Sequence, residues 1–366
     1  MVMAQHRDIW AQLSGTPSIA AVANVETKSP AGRALRAAVS SWIMHRGMRA
    51  LITGGAGFIG SHLADRLLAD GHEVTILDDL STGRYENIDH LLGRRDVEFV
   101  LGSILNTDLV DDVVAHCDTV FHLAAAVGVE LIVQRPLDSL RTNIRGSEIV
   151  LEKAHKYDTR ILVTSTIEIY GKNASDRLRE GDDRVLGSPL KSRWAYSEAK
   201  AIEEILAYTY WKAKGLETVI VRLFNTVRSR QTGRYGMVIP RFVNQALRGE
   251  PLTVYGDGTQ TRCFCHVADV VNALVALIEH PEAYGRVFNL GGTEEISMDE
   301  LAGAVIAACG SVSKVRYVPY EEAYEEGFED MARRVPDITR VRELVDFRPT
   351  HDLQAIIDSV VAEQRS

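Results

Sequence analysis

Tyr196 and Lys200 stand four residues apart in WAYSEAKAIEEILAYTYW, a run that reads as a long helix and sets a phenol and an ammonium on one face. A phenol ordinarily titrates near 10. A neighbouring cation stabilises the phenolate and lowers that value, which makes the pair a candidate base. Tyrosine and lysine share helix faces in many proteins, so the pair takes its meaning from what lies around it. A second chemical pair closes VTSTIEIYGKN, where apolar strand residues run out into Thr166 and Glu168, one strand period apart. A third set is ITGGAGFIGSHL, with glycines at 54, 55, 57 and 60 between a strand and a helix. Glycine there lets the chain turn tightly and lets a pyrophosphate reach the amides of the helix N-terminus, so Gly54, Gly57, Phe58, Ile59 and Gly60 are candidate dinucleotide contacts. Asp78 closes the next strand, EVTILDD, where a carboxylate accepts from ribose hydroxyls and repels a 2′-phosphate. NAD is therefore expected rather than NADP. Leu123 and Ala124, in FHLAAAVG, end another strand in small residues and allow the cofactor close approach. Beside such a cofactor, Tyr196 can take a hydroxyl proton while hydride leaves the same carbon.

These residues need a scaffold, and the pattern supplies one. Short β-rich runs (50–53, 74–77, 97–101, 119–123, 161–164, 218–223) alternate with helical segments, which points to βαβ units. The expected fold is α/β: a Rossmann-like, doubly wound parallel sheet with a smaller C-terminal substrate-binding lobe. An NAD-binding domain is expected over 48–225, with 263–290 returning to it. The lobe takes 226–262 and 291–366, where Gly-rich and Pro-rich connections loosen the rhythm. Residues 1–47 read as an extension without chemistry.

The bulk numbers narrow the partners. A net charge of −9 over 366 residues, without a long basic block, argues for small ligands and against nucleic acid. Four scattered cysteines fit neither a disulfide framework nor a four-ligand zinc site; no metal is expected, and a reducing cytoplasm is. No apolar run reaches the roughly 20 residues that span a bilayer, so no membrane partner is expected.

Together the glycine set, Asp78, Thr166 and Tyr196-Ser-Glu-Ala-Lys200 resemble the extended short-chain dehydrogenase/reductase superfamily, which modifies nucleotide sugars, over about residues 48–360. The resemblance implies that Thr166 hydrogen-bonds the hydroxyl being oxidised and that Lys200 also holds the nicotinamide ribose. The segments RLFNTVRSRQTGRYGMVIPRF, GEPLTVYGDGTQTR, FNLGG and RRVPDI are similar to UDP-glucuronic acid decarboxylases (UDP-xylose synthases) and, less closely, to UDP-hexose 4-epimerases. That likeness makes Asn225, Arg234, Tyr255 and Arg262 the UDP pocket, with Arg262 on the diphosphate, and Arg334 a substrate-facing arginine. Thr166-Ile167-Glu168 matches the decarboxylases' Thr-x-Glu; Ile167 stands where 4,6-dehydratases carry an aspartic acid, and many epimerases have no carboxylate at this turn. Glu168 is thus a catalytic candidate, and its plain alternatives are an exposed carboxylate or a partner for a basic side chain. The implied activity is NAD-dependent decarboxylation of UDP-glucuronic acid by a homodimer. A UDP-hexose or UDP-uronate 4-epimerase is the alternative, and a non-catalytic NAD-sensing regulator the third reading. Three departures stand out: Ser103 replaces an acidic residue near the adenine, Arg228-Ser229 replaces Gly-Pro, and LAAAVGVELIVQRP has an epimerase-like cast.

Overall fold

The structure, a computed structural model, describes residues 47–127, 135–191, 194–231, 237–319, 322 and 333–365. The expected extension falls, but for residue 47, outside the described residues, as does Arg234. From Arg49 onward the chain forms one compact unit.

Its centre is a seven-stranded parallel sheet built from β1 (Arg49–Thr53), β2 (Glu73–Asp78), β3 (Val97–Leu101), β4 (Thr119–His122), β5 (Arg160–Thr166), β6 (Thr218–Leu223) and β11 (Arg286–Leu290). Their spatial order is β11-β6-β5-β4-β1-β2-β3, so the chain reverses direction across the sheet between β1 and β4. The register sets Thr53 beside both Leu77 and His122. Strands covered on both faces need apolar residues on both, and β4 is buried at all four positions.

Helices cover the sheet on two sides. One side carries α1 (Phe58–Ala69) and α7 (Val267–Glu279), which pack together. The other carries α2 (Thr107–Ala115), α4 (Ser147–Lys156) and the 20-residue α5 (Ala195–Lys214). Leu51, Val114, Leu151 and Ile220 belong to the core on that side. The short α3 (Pro136–Arg141) precedes α4, and α5 stops at Gly215, whose left-handed φ of +78° a side chain would resist.

Beyond β6 the chain builds β7 (Thr226–Val227), α6 (Val238–Leu247), β8 (Leu252–Tyr255), β9 (Thr261–Cys263) and β10 (Cys265–His266). After β11 come β12 (Glu295–Ser297), α8 (Met298–Cys309), β13 (Val315–Val318), α9 (Thr339–Val345) and α10 (Leu353–Arg365). Helices α6, α8 and α10 share a second apolar core around Phe242, Leu301 and Ile357. A capping box starts α8, with Ser297 and Glu300 satisfying each other's backbone N–H groups.

Candidate active site

In an open parallel sheet, ligands sit at the carboxyl ends of the strands where the order reverses. A cleft of about 760 Å³ lies there. Every residue expected to contact cofactor or substrate or to take part in catalysis lines it except Arg234, which lies outside the described residues.

The dinucleotide half is shaped by absent side chains. Gly54 has φ +72°, and a Cβ on it would stand 2.8 Å from the Ala124 backbone. A Cβ on Gly60 would lie 2.3 Å from the Gly54 carbonyl oxygen. No side chain caps α1, so the amides of its first turn stay available to an anion. Asp78 is buried and accepts from the amides of Ala56 at 2.9 Å and Leu80 at 2.8 Å. Burial raises its pKa, and those two amides oppose the rise. Asn87 donates to the Ala56 carbonyl at 2.8 Å and braces the same loop. Open amides, a glycine wall and a strand-end carboxylate are the donor and acceptor set that a dinucleotide with free ribose hydroxyls requires.

The chemical half gathers at the ends of β5 and α5. Thr166 ends β5 and caps a short 3-10 turn (Ile167–Tyr170), its hydroxyl accepting from the Glu168 amide at 3.2 Å. Ser197 donates its hydroxyl to the Glu168 carbonyl at 2.8 Å, which ties the first turn of α5, and with it Tyr196, to that strand end. Lys200 is 2% exposed and donates to the Thr164 carbonyl at 2.7 Å and to Glu203 at 2.8 Å. Tyr196 is pushed above the ordinary phenol range, first by burial and then by the carboxylates of Glu203 and Glu168. Lys200, one turn away, is itself held by the Glu203 carboxylate. Glu168 and Arg334 form an ion pair at 3.0 Å with side chains only 15% and 12% exposed. The plain alternative for Glu168, a basic partner, is thus present, and the partner is itself a residue expected to face substrate.

The third region of the cleft gathers Asn225, Tyr255 and Arg262. Arg262 is buried on β9 and donates to its neighbour's carbonyl, Thr261, at 2.8 Å. Asn225 donates to the Cys263 carbonyl at 2.9 Å. Arg241 of α6 lies 4.4 Å over the Tyr255 ring. In the departure noted above, Ser229 turns its carbonyl to His62 at 3.1 Å, packing that loop on α1.

Comparison with known proteins fits this geometry. The family described as the NAD dependent epimerase/dehydratase family matches residues 50–291. The chain belongs to it. Among curated relatives, a UDP-N-acetyl-alpha-D-glucosaminuronate decarboxylase of Bacillus cytotoxicus is 40% identical over 82% of this chain and 92% of that protein. UDP-glucuronic acid decarboxylase 1 of Danio rerio is 36% identical over 86% of this chain and 72% of that protein. Among solved structures, UDP-glucose 4-epimerase with UDP-glucose from Thermotoga maritima gives a TM-score of 0.78 at 30% identity, covering 87% of this chain and 99% of that one. NAD, the family's cofactor, fits the donors and acceptors found here.

Several residues of this epimerase/dehydratase cleft left no mark in the sequence. Arg230, Arg241 and Gln260 line it. Arg241 reads as an ordinary helix residue, and only the tertiary approach of α6 to β8 lays it on Tyr255. Glu203 and Asn87 act through other residues, and a signal for Glu203 did exist: an acid three positions after a lysine on a helix.

Proposed function

We propose that this protein is an NAD-dependent decarboxylase of UDP-uronic acids, acting on UDP-glucuronic acid. The observation that carries the reading is the Glu168–Arg334 pair at the Thr166 strand end, in one cleft with Tyr196 and Lys200. A guanidinium there suits the uronate carboxylate. Ile167, buried at that turn, offers no proton for expelling water, which argues against dehydration. The names of the curated relatives support the same activity.

NAD, when bound, supplies a two-electron acceptor for C4, and whether those electrons return decides between UDP-xylose and UDP-4-keto-pentose as product. Thr166 holds the C4 hydroxyl and Tyr196 removes its proton. The resulting ketone is β to the C6 carboxylate, so the C5–C6 bond breaks with its electron pair passing into an enolate as carbon dioxide leaves. Arg334 orients the carboxylate through charge-assisted hydrogen bonds. Glu168, released from that arginine as substrate enters, orients the ring or protonates C5 through water. Asn225, Arg234, Tyr255 and Arg262 are assigned to the UDP moiety, with a guanidinium fork on the diphosphate. In this reading 48–225 with 263–290 form the cofactor domain, and 226–262 with 291–366 the substrate lobe.

The assembly proposed is a homodimer. On α5, Ile202, Ile205 and Tyr208 present an apolar stripe, with Ile205 61% exposed. Four free, buried cysteines suit a reducing compartment such as the cytoplasm. Among the described residues no helix is long and apolar enough to cross a membrane.

Incubation with NAD and UDP-glucuronic acid tests the activity. Carbon dioxide with a pentose nucleotide is the expected outcome, whereas UDP-galacturonic acid would establish the epimerase instead. Because the 40%-identical relative is named for the 2-acetamido uronate, UDP-N-acetylglucosaminuronate belongs in the same assay; its C4–C6 chemistry is identical.

A further inference from the structure

Behind the cleft lies a polar cluster that the proposed chemistry does not use. Glu203 is 1% exposed, and its two carboxylate oxygens face different ways: Oε2 to Lys200 at 2.8 Å, Oε1 to His122 Nε2 at 3.6 Å. Ser147 Oγ is 2.8 Å from the same imidazole nitrogen, and His122 Nδ1 is 2.7 Å from Thr53 Oγ1. Thr53 Oγ1 also accepts the Ala124 amide at 3.3 Å. His122 Nε2 faces both Ser147 Oγ and the carboxylate. The chain of contacts thus runs from Ala124, on the cofactor wall, to Lys200.

Burying a carboxylate and an ammonium together is weak evidence for a stabilising role, because the desolvation they suffer offsets much of their attraction. We infer that Glu203 is a positioning residue that sets the base strength of Tyr196 through Lys200: its carboxylate, 2.8 Å from the ammonium, holds Lys200 in place and offsets part of the charge it presents to the phenol one turn away. This rests on the reading of Tyr196 as the acceptor of the C4 proton.

The surroundings leave Glu203 as the controlling charge. His122, driven down to about 3 by burial and then by Lys200, is neutral at working pH. Burial raises Glu203 itself, and Lys200 opposes that rise. Glu168, on the turn after β5, is engaged with Arg334, and Glu204 of α5 with Arg222 of β6. From the neighbouring helix, Glu148 pairs with Arg145 and Lys153 with Asp111. Asp138 of α3 pairs with Arg135, and Glu198 at the start of α5 with Arg184. Arg141 lies at the cleft wall.

Phenolate absorbance against pH, with the Tyr196→Phe variant subtracted, reads the Tyr196 midpoint directly, with and without added NAD. In Glu203→Gln, which keeps the shape and removes the charge, that midpoint falls by at least about one pH unit. The acid limb of the kcat profile moves with it, raising the rate about tenfold below the limb. An unmoved or higher midpoint overturns the inference, and if thermal stability alone drops, Glu203 merely packs. Should Glu203→Gln fail to fold, Glu203→Asp, which withdraws the charge by one methylene, must shift the midpoint the same way by a smaller amount. A lowered midpoint in protein that turns over no UDP-uronate sinks the decarboxylase reading and leaves the role of Glu203 standing.

Discussion

Removing the Tyr196 hydroxyl takes away the only group assigned to carry the C4 proton, so Tyr196→Phe is expected to lower turnover by roughly 10²–10⁴-fold. Because Ser197, and not Tyr196, anchors α5 to the Glu168 carbonyl, the fold should survive; unchanged circular dichroism with lost NADH formation is the check. Glu168→Gln tests a later step. It breaks the contact with Arg334, and should slow carbon dioxide release while NAD affinity by calorimetry stays as in the parent. An unaltered decarboxylation rate removes Glu168 from the mechanism. At this scale the sequence spoke clearly wherever chemistry is encoded by short spacing: the glycines, Asp78, Thr166 and Glu168, Tyr196 and Lys200. It was silent about the ion pair of Glu168 with Arg334, since the two are 166 positions apart and only the folded chain joins them.

Secondary-structure elements carry the next layer of constraint. The glycine turn leads straight into α1, which begins at Phe58, inside the glycine motif itself. The reason is physical: Gly57 serves as the N-cap in extended conformation, and the helix must start early for its first amides to border the cleft. Gly60→Ala should therefore weaken NAD binding at least tenfold by titration, because the new Cβ drives into the Gly54 carbonyl oxygen. Strand β6 and helix α5 are joined by Arg222 and Glu204, both about 9% exposed, in two hydrogen bonds of 2.9 and 2.8 Å. The same arginine donates to Tyr170, whose hydroxyl reaches Asn289 of β11 at 2.6 Å. Glu204→Ala strands that buried charge and should cost about 3–5 kcal/mol in denaturant unfolding. The alternation of strands and helices made these elements legible. The cross-links were not, because a buried arginine on a strand looks like any exposed one until its neighbours are known.

On the scale of the whole molecule, pH and assembly are the levers. Burial, as the first cause, depresses His62 and His266 to about 4 and His122 to about 3. The unfolded chain takes up these protons near the ordinary value of about 6.5 and the folded chain does not. Their contribution is therefore complete above about pH 6.5 and is lost as pH falls toward 4, against a partial opposing effect from the raised carboxyls of Asp78 and Glu203. Urea midpoints at pH 7.5 and 5 measure the loss, and His62→Asn should make it smaller. Ile205→Glu, on the exposed stripe, is expected to convert a dimer to monomer in sedimentation; a parent that already sediments as a monomer ends the dimer proposal. The segment around Arg334 has a further consequence. Val335 accepts the Leu178 amide at 2.9 Å and Arg333 clasps Glu295 and Asp176, and between them Arg334, from the last tenth of the chain, borders the cleft at the end proposed for the sugar. During synthesis on the ribosome the glycine turn can fold long before that segment emerges, and a nascent chain should grip NAD while still unable to hold the sugar it is to oxidise.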